Sequence, residues 1–202
     1  MSAFYALAYR DRIELLTDGA IYSDDGTLVD IRMKVHVSEN VPLVVTGRGN
    51  SAVVDLLAAG MTALAGCGNV DEAIEQIDAL LLRRAEKGAP EDAEWVIAGV
   101  SETRGPFLLY AATADLYGND LKPWCLHDVG PEWGGGPKID YCGDLDASSG
   151  LRGCGVELFE RMRRVAGPNP AKPDLPHIHG IGGHVGLTTV RAGGGAGGRV
   201  HE

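Results

Sequence analysis

Strand-like and helix-like segments follow one another along this chain in an order that restricts the folds open to it. Short apolar runs rich in strand formers fill residues 3–46, two helical segments occupy 51–87, and strand-like runs return at 94–112. A third helical pattern and a last strand-like run come after residue 150. Groups of strands separated by groups of helices are typical of layered α+β domains and not of alternating βαβ proteins.

The strands of the first half are predicted from their apolar patterns. Residues 3–9 and 12–17 flank a short polar turn and predict an antiparallel hairpin, and 42–46 predicts a further short strand. Residues 30–37 alternate between polar and apolar side chains. Because successive side chains of a strand point to opposite faces, this alternation predicts a strand with one apolar face, formed by Ile31, Met33, Val35 and Val37.

Two helices are predicted to form an antiparallel hairpin in the middle of the chain. The segment 51–65 is apolar nearly all round, which predicts a buried helix, and Gly66 and Gly68 end it. The segment 70–87 is amphipathic, with acidic residues near its start and basic residues near its end, as the helix dipole favours. Residues 154–166 predict a third helix with one apolar face.

The second half of the chain completes the predicted fold. It contains three further predicted strands, at 94–101, 106–112 and 184–191. Residues 118–150 are too rich in glycine, proline and aspartate for an assignment. Two antiparallel sheets with helices outside them would bury the apolar strands together with the first helix. We therefore expect an α+β fold with one domain over 1–192 and a flexible glycine-rich tail over 193–202.

Charge and composition argue against several functional classes. With 28 acidic and 18 basic residues the net charge is −10, which disfavours binding to nucleic acid or to anionic lipid. No apolar run reaches the roughly 18 residues of a membrane helix. The first residues lack the pattern of a secretion signal, so we expect a cytoplasmic protein. The cysteines show no CxxC spacing, which predicts free thiols at Cys67, Cys125, Cys142 and Cys154.

The residues that carry chemistry are Ser2, Asp18 and Lys34, which follow one another at equal spacings of 16 positions. Aminopeptidases usually remove the methionine of a Met-Ser start, and Ser2 would then carry a free α-amine beside its hydroxyl. A serine hydroxyl is a weak nucleophile unless a base takes its proton, and an amine with a pKa near ~8 can be that base. Lys34 would lower the pKa of the hydroxyl and keep the amine neutral, and Asp18 would orient Lys34.

These residues lie in a segment that resembles a known family. The sequence SAFYALAYRDRIELLTDG, residues 2–19, is similar without gaps to the start of proteasome β-subunits, which like the bacterial HslV peptidase are N-terminal-nucleophile hydrolases. The resemblance places Ser2 on the nucleophile, Asp18 on the catalytic aspartate and Lys34 on the catalytic lysine. Gly47, at the end of the next strand, resembles the glycine whose backbone N–H serves the oxyanion hole.

The resemblance extends more loosely over the rest of the chain. AGVSETRGPFLLYAATADLYG, residues 98–118, is similar to the family's central strand pair, and IGGHVGLTTVRAGG, residues 181–194, is similar to its last strand. The family membership would imply a four-layer αββα sandwich of two antiparallel sheets flanked by helices. It would also imply a peptide or amide substrate, a homo-oligomer such as a ring, and no metal or organic cofactor.

The chain departs from the family at three places. Serine stands at position 2 where the family usually has threonine. The segment 130–137, GPEWGGGP, offers no counterpart of the family's assisting serine, and PHIHGIGGH, residues 176–184, offers no counterpart of its supporting aspartate and serine. These departures leave an alternative open, in which the same fold is a catalytically inactive assembly subunit that keeps Met1. The intact set of Ser2, Asp18 and Lys34 favours the enzyme.

Three other patterns admit a functional and a structural interpretation. Three imidazoles can hold zinc, although loop histidines are usually solvated: His177, His179 and His184. The triple glycine at 134–136 lacks the Lys-Ser/Thr that follows a phosphate loop, so we expect a turn there. Trp124 and Trp133 flank a loop rich in glycine and proline, where they could line a substrate pocket, contact another subunit or anchor the loop.

Overall fold

The computed structural model of the protein describes residues 2–88, 92–137, 149–168, 174, 176–193 and 197–198. Its strands are β1 (Phe4–Ala8), β2 (Arg12–Asp18), β3 (Ala20–Tyr22), β4 (Leu28–Ile31), β5 (His36–Val37), β6 (Leu43–Gly49), β7 (Ala93–Ser101), β8 (Gly105–Ala112), β9 (His127–Asp128), β10 (Glu132–Gly135), β11 (Val185–Arg191) and β12 (Gly197–Gly198). Its helices are α1 (Ser51–Leu64), α2 (Val70–Ala85) and α3 (Leu151–Arg163), with a 3-10 turn over Ala65–Cys67. The predicted α+β class is confirmed.

Asparagine side chains begin both helices of the central hairpin. Asn50 Oδ1 accepts hydrogen bonds from the backbone N–H groups of Ala52 and Val53, and Asn69 Oδ1 accepts one from Glu72. These caps satisfy donors that have no partner inside the helix. Among the helices of the described residues, none combines the length and the apolar character needed to cross a membrane.

Two five-stranded antiparallel sheets form the body of the structure. The first sheet has the strand order β10-β1-β2-β11-β12, and the second has the order β5-β6-β7-β8-β9. In the first sheet Thr17 pairs with Phe4 on one side and with Gly186 on the other, so both ends of the chain contribute to this sheet. β3 and β4 form a separate hairpin.

The alternation of side chains along the strands fills three apolar clusters and so stacks the elements in layers. Phe4 of the first sheet and Val96 of the second lie in the cluster between the sheets. Their chain neighbours point the other way: Tyr5 packs against α3, and Trp95 packs against α1 and α2. The order is therefore helices, sheet, sheet, helix. Because the strands bury both faces, most of them appear in the sequence as apolar runs without clear alternation.

The segment 30–37 differs from its prediction as one strand. β4 ends at Ile31, residues 32–35 belong to no strand, and Ile31 and Met33 are 50% and 45% exposed. This stretch is held by separate hydrogen bonds and not by a strand ladder. Arg32 N donates to the Gly19 carbonyl at 2.9 Å, and Thr46 Oγ1 donates to the Lys34 carbonyl at 2.8 Å.

The prediction of a fully buried first helix was wrong in part. The helix α1 is not buried all round. One of its faces packs against the second sheet, whereas Leu56, on another face, is 63% exposed. An alanine-rich helix shows little contrast between its faces, so the sequence did not reveal which side is open. Within the predicted flexible tail, Gly197 and Gly198 pair with β11, while 194–196 and 199–202 lie outside the described residues.

Candidate active site

The first two strands bring Ser2 and Asp18 together. β1 and β2 are antiparallel, with Phe4 opposite Thr17, so the end of β2 lies beside the residues that precede β1. The backbone N–H of Ala3 donates to Asp18 Oδ1 at 3.0 Å. This bond joins the residue after Ser2 to the carboxylate, so the two candidate catalytic residues are held by the register of one hairpin.

Lys34 completes the predicted set. Its Nζ lies 2.9 Å from Ser2 Oγ and 2.9 Å from Asp18 Oδ1, and it also donates to the backbone carbonyl of Ala20. An ammonium group has three donors, and each has an oxygen acceptor here. The structure thus places both Ser2 Oγ and Asp18 Oδ1 in contact with Lys34 Nζ, although of the three residues only Asp18 lies in a strand.

Burial controls the electrostatics of this ion pair. Asp18 is 0% exposed, and the side chain of Lys34 is 11% exposed. Burial lowers the pKa of Lys34 from its ordinary value, and the neighbouring Asp18 carboxylate opposes that change. Asp18 Oδ2 also accepts the backbone N–H of Gly182 at 3.3 Å, so both of its oxygens are used. A lysine whose pKa is lowered by burial gives up its proton more readily than an exposed lysine does.

Gly47 lies on the same cavity as Ser2 and Lys34. The cavity has a volume of about 650 Å³, within the roughly 300–1,000 Å³ of typical small-molecule sites. A Cβ built on Gly47 would lie 2.2 Å from the Glu94 carbonyl oxygen, so only glycine fits this part of β6. The close approach fixes the backbone of Gly47 at the cavity wall. Its role as an oxyanion donor stays a prediction.

A second buried ion pair on this cavity was missed by the sequence analysis. Arg48 Nε lies 3.2 Å from Glu94 Oε1, Arg48 Nη1 donates to the Tyr117 hydroxyl at 3.1 Å, and that hydroxyl donates to Glu94 Oε1 at 2.9 Å. Glu94 is directly opposite Arg48 in the β6–β7 pairing. Burial raises the pKa of Glu94, and the Arg48 guanidinium opposes this. The sequence did contain one signal for this pair, since Glu94 is a single charged residue at the start of an otherwise apolar strand.

Arg32 and Asp55, which form a third ion pair, also line the cavity. Arg32 Nη2 pairs with Asp55 Oδ2, and His36 Nε2 lies 3.2 Å from Asp55 Oδ1. Asp55 projects from the first turns of α1, and Arg32 follows β4. The contact joins the segment after β4 to the helical layer at the wall of the cavity.

Two segments border the site, 130–137 and 176–184, in which the sequence analysis found no counterparts of the family's assisting residues. β10 pairs with β1, with Gly135 opposite Phe4, and a Cβ on Gly136 would lie 3.4 Å from the Ala3 side chain. The triple glycine thus belongs to a strand and its exit, not to the turn that we expected. In the other segment, Gly182 donates its N–H to Asp18, so a backbone group supports the aspartate there.

The histidines and cysteines provide no metal site in the part of the chain that the structure describes. No three His, Cys, Asp or Glu side chains lie close enough there to hold a metal ion, so His177, His179 and His184 do not converge on one. His179 Nδ1 instead lies 2.9 Å from the Arg163 carbonyl. Cys125 and Cys154 are free thiols, while Cys142 and the Cys67 side chain fall outside the description.

The two tryptophans serve packing. Trp124 is buried beside Trp95, with ring centroids 6.2 Å apart. Trp133 lies against Tyr110 and Tyr117, at 5.1 and 6.1 Å. The aromatic group around Trp133 therefore backs the Arg48–Glu94 pair, and Trp124 anchors its loop to the helical layer.

No protein-family model matches the sequence, and no curated protein matches it either.

Proposed function

We propose that this chain is an N-terminal-nucleophile peptidase or amidohydrolase of the proteasome-like type, with Ser2 as its nucleophile after removal of Met1. The observation that carries the proposal is the position of Lys34 Nζ, 2.9 Å from both Ser2 Oγ and Asp18 Oδ1. The order of helices, sheet, sheet and helix supports an αββα fold of the N-terminal-nucleophile type.

The reaction follows from the groups around Ser2. Ser2 Oγ attacks the carbonyl carbon of an amide, and its proton passes through water to the Ser2 α-amine. Lys34, held by Asp18, favours the ionised hydroxyl, and the N–H of Gly47 stabilises the tetrahedral oxyanion. The C–N bond then breaks as the protonated α-amine returns the proton to the leaving amine. Water hydrolyses the resulting ester by the same route, so no metal or organic cofactor takes part.

An exposed apolar hairpin supports the expectation of a homo-oligomer. Four side chains of the β4 region are about half exposed or more: Leu28, Val29, Ile31 and Met33. An uncovered edge strand with apolar side chains tends to pair with another surface. Light scattering after gel filtration should give a multiple of the 21.3 kDa chain mass, and the double change Val29→Glu and Ile31→Glu should shift it to the monomer.

The proposal is tested by intact mass, N-terminal sequencing and a serine-reactive fluorophosphonate probe. We expect a chain that begins at Ser2 and is labelled at Ser2, with labelling lost in Ser2→Ala and Lys34→Ala. Lys87→Ala, which changes an exposed lysine beyond α2, is the matched control and should be labelled normally. A chain that uniformly begins with Met1 has no free α-amine on Ser2. That result would leave the inactive assembly subunit as the better proposal.

A further inference from the structure

The guanidinium of Arg48 has N–H donors that form no hydrogen bond with a described residue. A guanidinium has five N–H donors, and Arg48 uses one of them, on Nη1, in its hydrogen bond to Tyr117. Its Nε lies 3.2 Å from Glu94 Oε1 as an ion pair but is buried without a hydrogen bond to a described residue. Among the described residues, Nη2 has no hydrogen-bond partner. Arg48 lines the same cavity as Ser2, and its side chain is 21% exposed while that of Glu94 is 2% exposed. The unused edge of the guanidinium is therefore accessible from the cavity.

The surroundings hold Arg48 in place for a ligand. Glu94 and Tyr117 hold two of its nitrogens from one side. A Cβ on Gly135 would lie 3.0 Å from Arg48 Nη1, so glycine at this position leaves the guanidinium its space against the first sheet. A fork of N–H groups that is already oriented loses little conformational freedom on binding and matches the two oxygens of a carboxylate.

The other charges of the cavity leave Arg48 as the best placed cation. Lys34 is engaged by the buried Asp18, and Arg32 is engaged by Asp55. The remaining carboxylates of the lining, those of Asp24 and Asp92, belong to exposed residues, where solvent screens their charge. An anionic group entering the cavity thus meets unused N–H donors at Arg48.

We infer that Arg48 is a binding residue for a carboxylate of the substrate, and that the substrates are acidic peptides or acidic amides. This inference rests on the proposed function, since it deepens the assignment of the cavity around Ser2. It adds that a glutamate or aspartate near the scissile amide should pair with the open edge of Arg48.

The experiment uses two internally quenched octapeptides that differ only at the centre, Ala-Glu-Glu-Ala against Ala-Gln-Gln-Ala, so that either side of the scissile amide carries the acidic residue. Binding is measured by calorimetry on the Ser2→Ala protein, and cleavage is measured on the unchanged protein. We expect about tenfold tighter binding and a correspondingly lower KM for the Glu peptide, as charge-assisted hydrogen bonds give.

Variants at the pair sharpen the result. Arg48→Gln should remove the preference by weakening the Glu peptide alone, and Arg48→Lys, which keeps the charge without the fork, should retain part of it. Glu94→Gln should strengthen binding of the Glu peptide because it leaves the Arg48 charge unbalanced; a merely structural role would weaken both peptides. Arg104→Gln, at an exposed arginine outside this cavity, is the control.

The outcomes separate this inference from the proposed function. Equal binding of the two peptides to the Ser2→Ala protein overturns the carboxylate site, whether or not the variants fold. A preference that survives in a folded Arg48→Gln protein overturns it as well. A strong preference for the Glu peptide without any cleavage or Ser2 labelling would keep the site and reject the hydrolase.

Discussion

Two buried ion pairs border one cavity, and they differ in how completely they are bonded. In the Lys34–Asp18 pair every donor of Lys34 has an acceptor, and both oxygens of Asp18 accept hydrogen bonds. In the Arg48–Glu94 pair, Glu94 Oε2 and Arg48 Nε are buried without a hydrogen-bond partner among the described residues, and Arg48 Nη2 has no partner among them either. A closed set of bonds fixes a geometry, whereas an open set leaves groups that a ligand can satisfy.

The difference also appears in the direction of the pKa changes. In the first pair burial lowers the pKa of the base, Lys34, and in the second it raises the pKa of the acid, Glu94. Both changes favour the neutral forms, since charge is costly away from water. The first change concerns a group that touches Ser2 Oγ, while the second concerns a group that holds a neighbouring cation.

The largest effect is expected from Lys34→Ala. Loss of the ammonium removes the positive charge beside Ser2 Oγ and should slow fluorophosphonate labelling about 100- to 1,000-fold, the usual effect of removing one electrostatic group from an active site. Labelling kinetics by intact mass measure this directly. A labelling rate within a few-fold of that of the unchanged protein would contradict a role of the Lys34–Asp18 pair in the reaction.

Asp18→Ala should cause the next largest effect, on stability. It leaves Lys34 buried without its counter-charge, and it strands the N–H groups of Ala3 and Gly182. Breaking a buried pair in this way costs about 3–5 kcal/mol of unfolding free energy, measured by urea denaturation. Asp55→Ala, which opens a partly exposed ion pair of the same cavity, is the control and should cost no more than about 1 kcal/mol.

Gly47→Ala probes the strand that carries Arg48. The added Cβ would lie 2.2 Å from the Glu94 carbonyl oxygen, so β6 and β7 have to separate at the second pair. We expect a loss of about 1–3 kcal/mol, as for other overpacked positions. In Gly60→Ala, within α1, the nearest atom is 3.8 Å away, and helix propensity should stabilise the protein by up to about 1 kcal/mol. Equal changes in unfolding free energy for Gly47→Ala and Gly60→Ala would refute the close approach of Gly47 to the Glu94 carbonyl.

The smallest effect concerns the pH dependence of Glu94→Gln. The pKa of Glu94 is raised on folding, so its stabilising contribution is present below the unfolded pKa, near ~4.3, and is lost as the pH rises through the folded value. Glutamine does not titrate. The stability of the unchanged protein relative to Glu94→Gln should therefore fall as the pH rises above about 4, which paired urea titrations measure. A difference that grows with pH would mean that Arg48 overcomes the effect of burial.

The sequence predicted the elements of the fold better than their exposed faces. The hairpin of β1 and β2 and the strands β7 and β8 follow from apolar runs, which are long because both faces of each strand are buried. The prediction of one strand over 30–37 was wrong, although its side chains alternate between polar and apolar. Isolated hydrogen bonds hold this stretch instead, and the Lys34 side chain points inward to Asp18. β10 carries two glycines and one tryptophan, so neither propensity nor periodicity identified it.

Only one of the two ion pairs could be predicted. Ser2, Asp18 and Lys34 were found by their equal spacing and by resemblance, and the structure brings them into contact. Arg48 lies between two glycines and Glu94 begins an apolar run, which are weak local signals. Their contact depends on the register of β6 against β7, with Arg48 opposite Glu94, and periodicity alone does not give that register.

The hydrogen bond from Gly182 to Asp18 has a consequence for the order of events during synthesis of the chain. It spans 164 positions, and β2 pairs with β11 along its whole length, so the first sheet cannot close until residue 191 has left the ribosome. Contacts this distant in sequence also form slowly, because a long loop must close first. A nascent chain therefore lacks the bond from Gly182 to Asp18 until β11 has emerged and paired with β2.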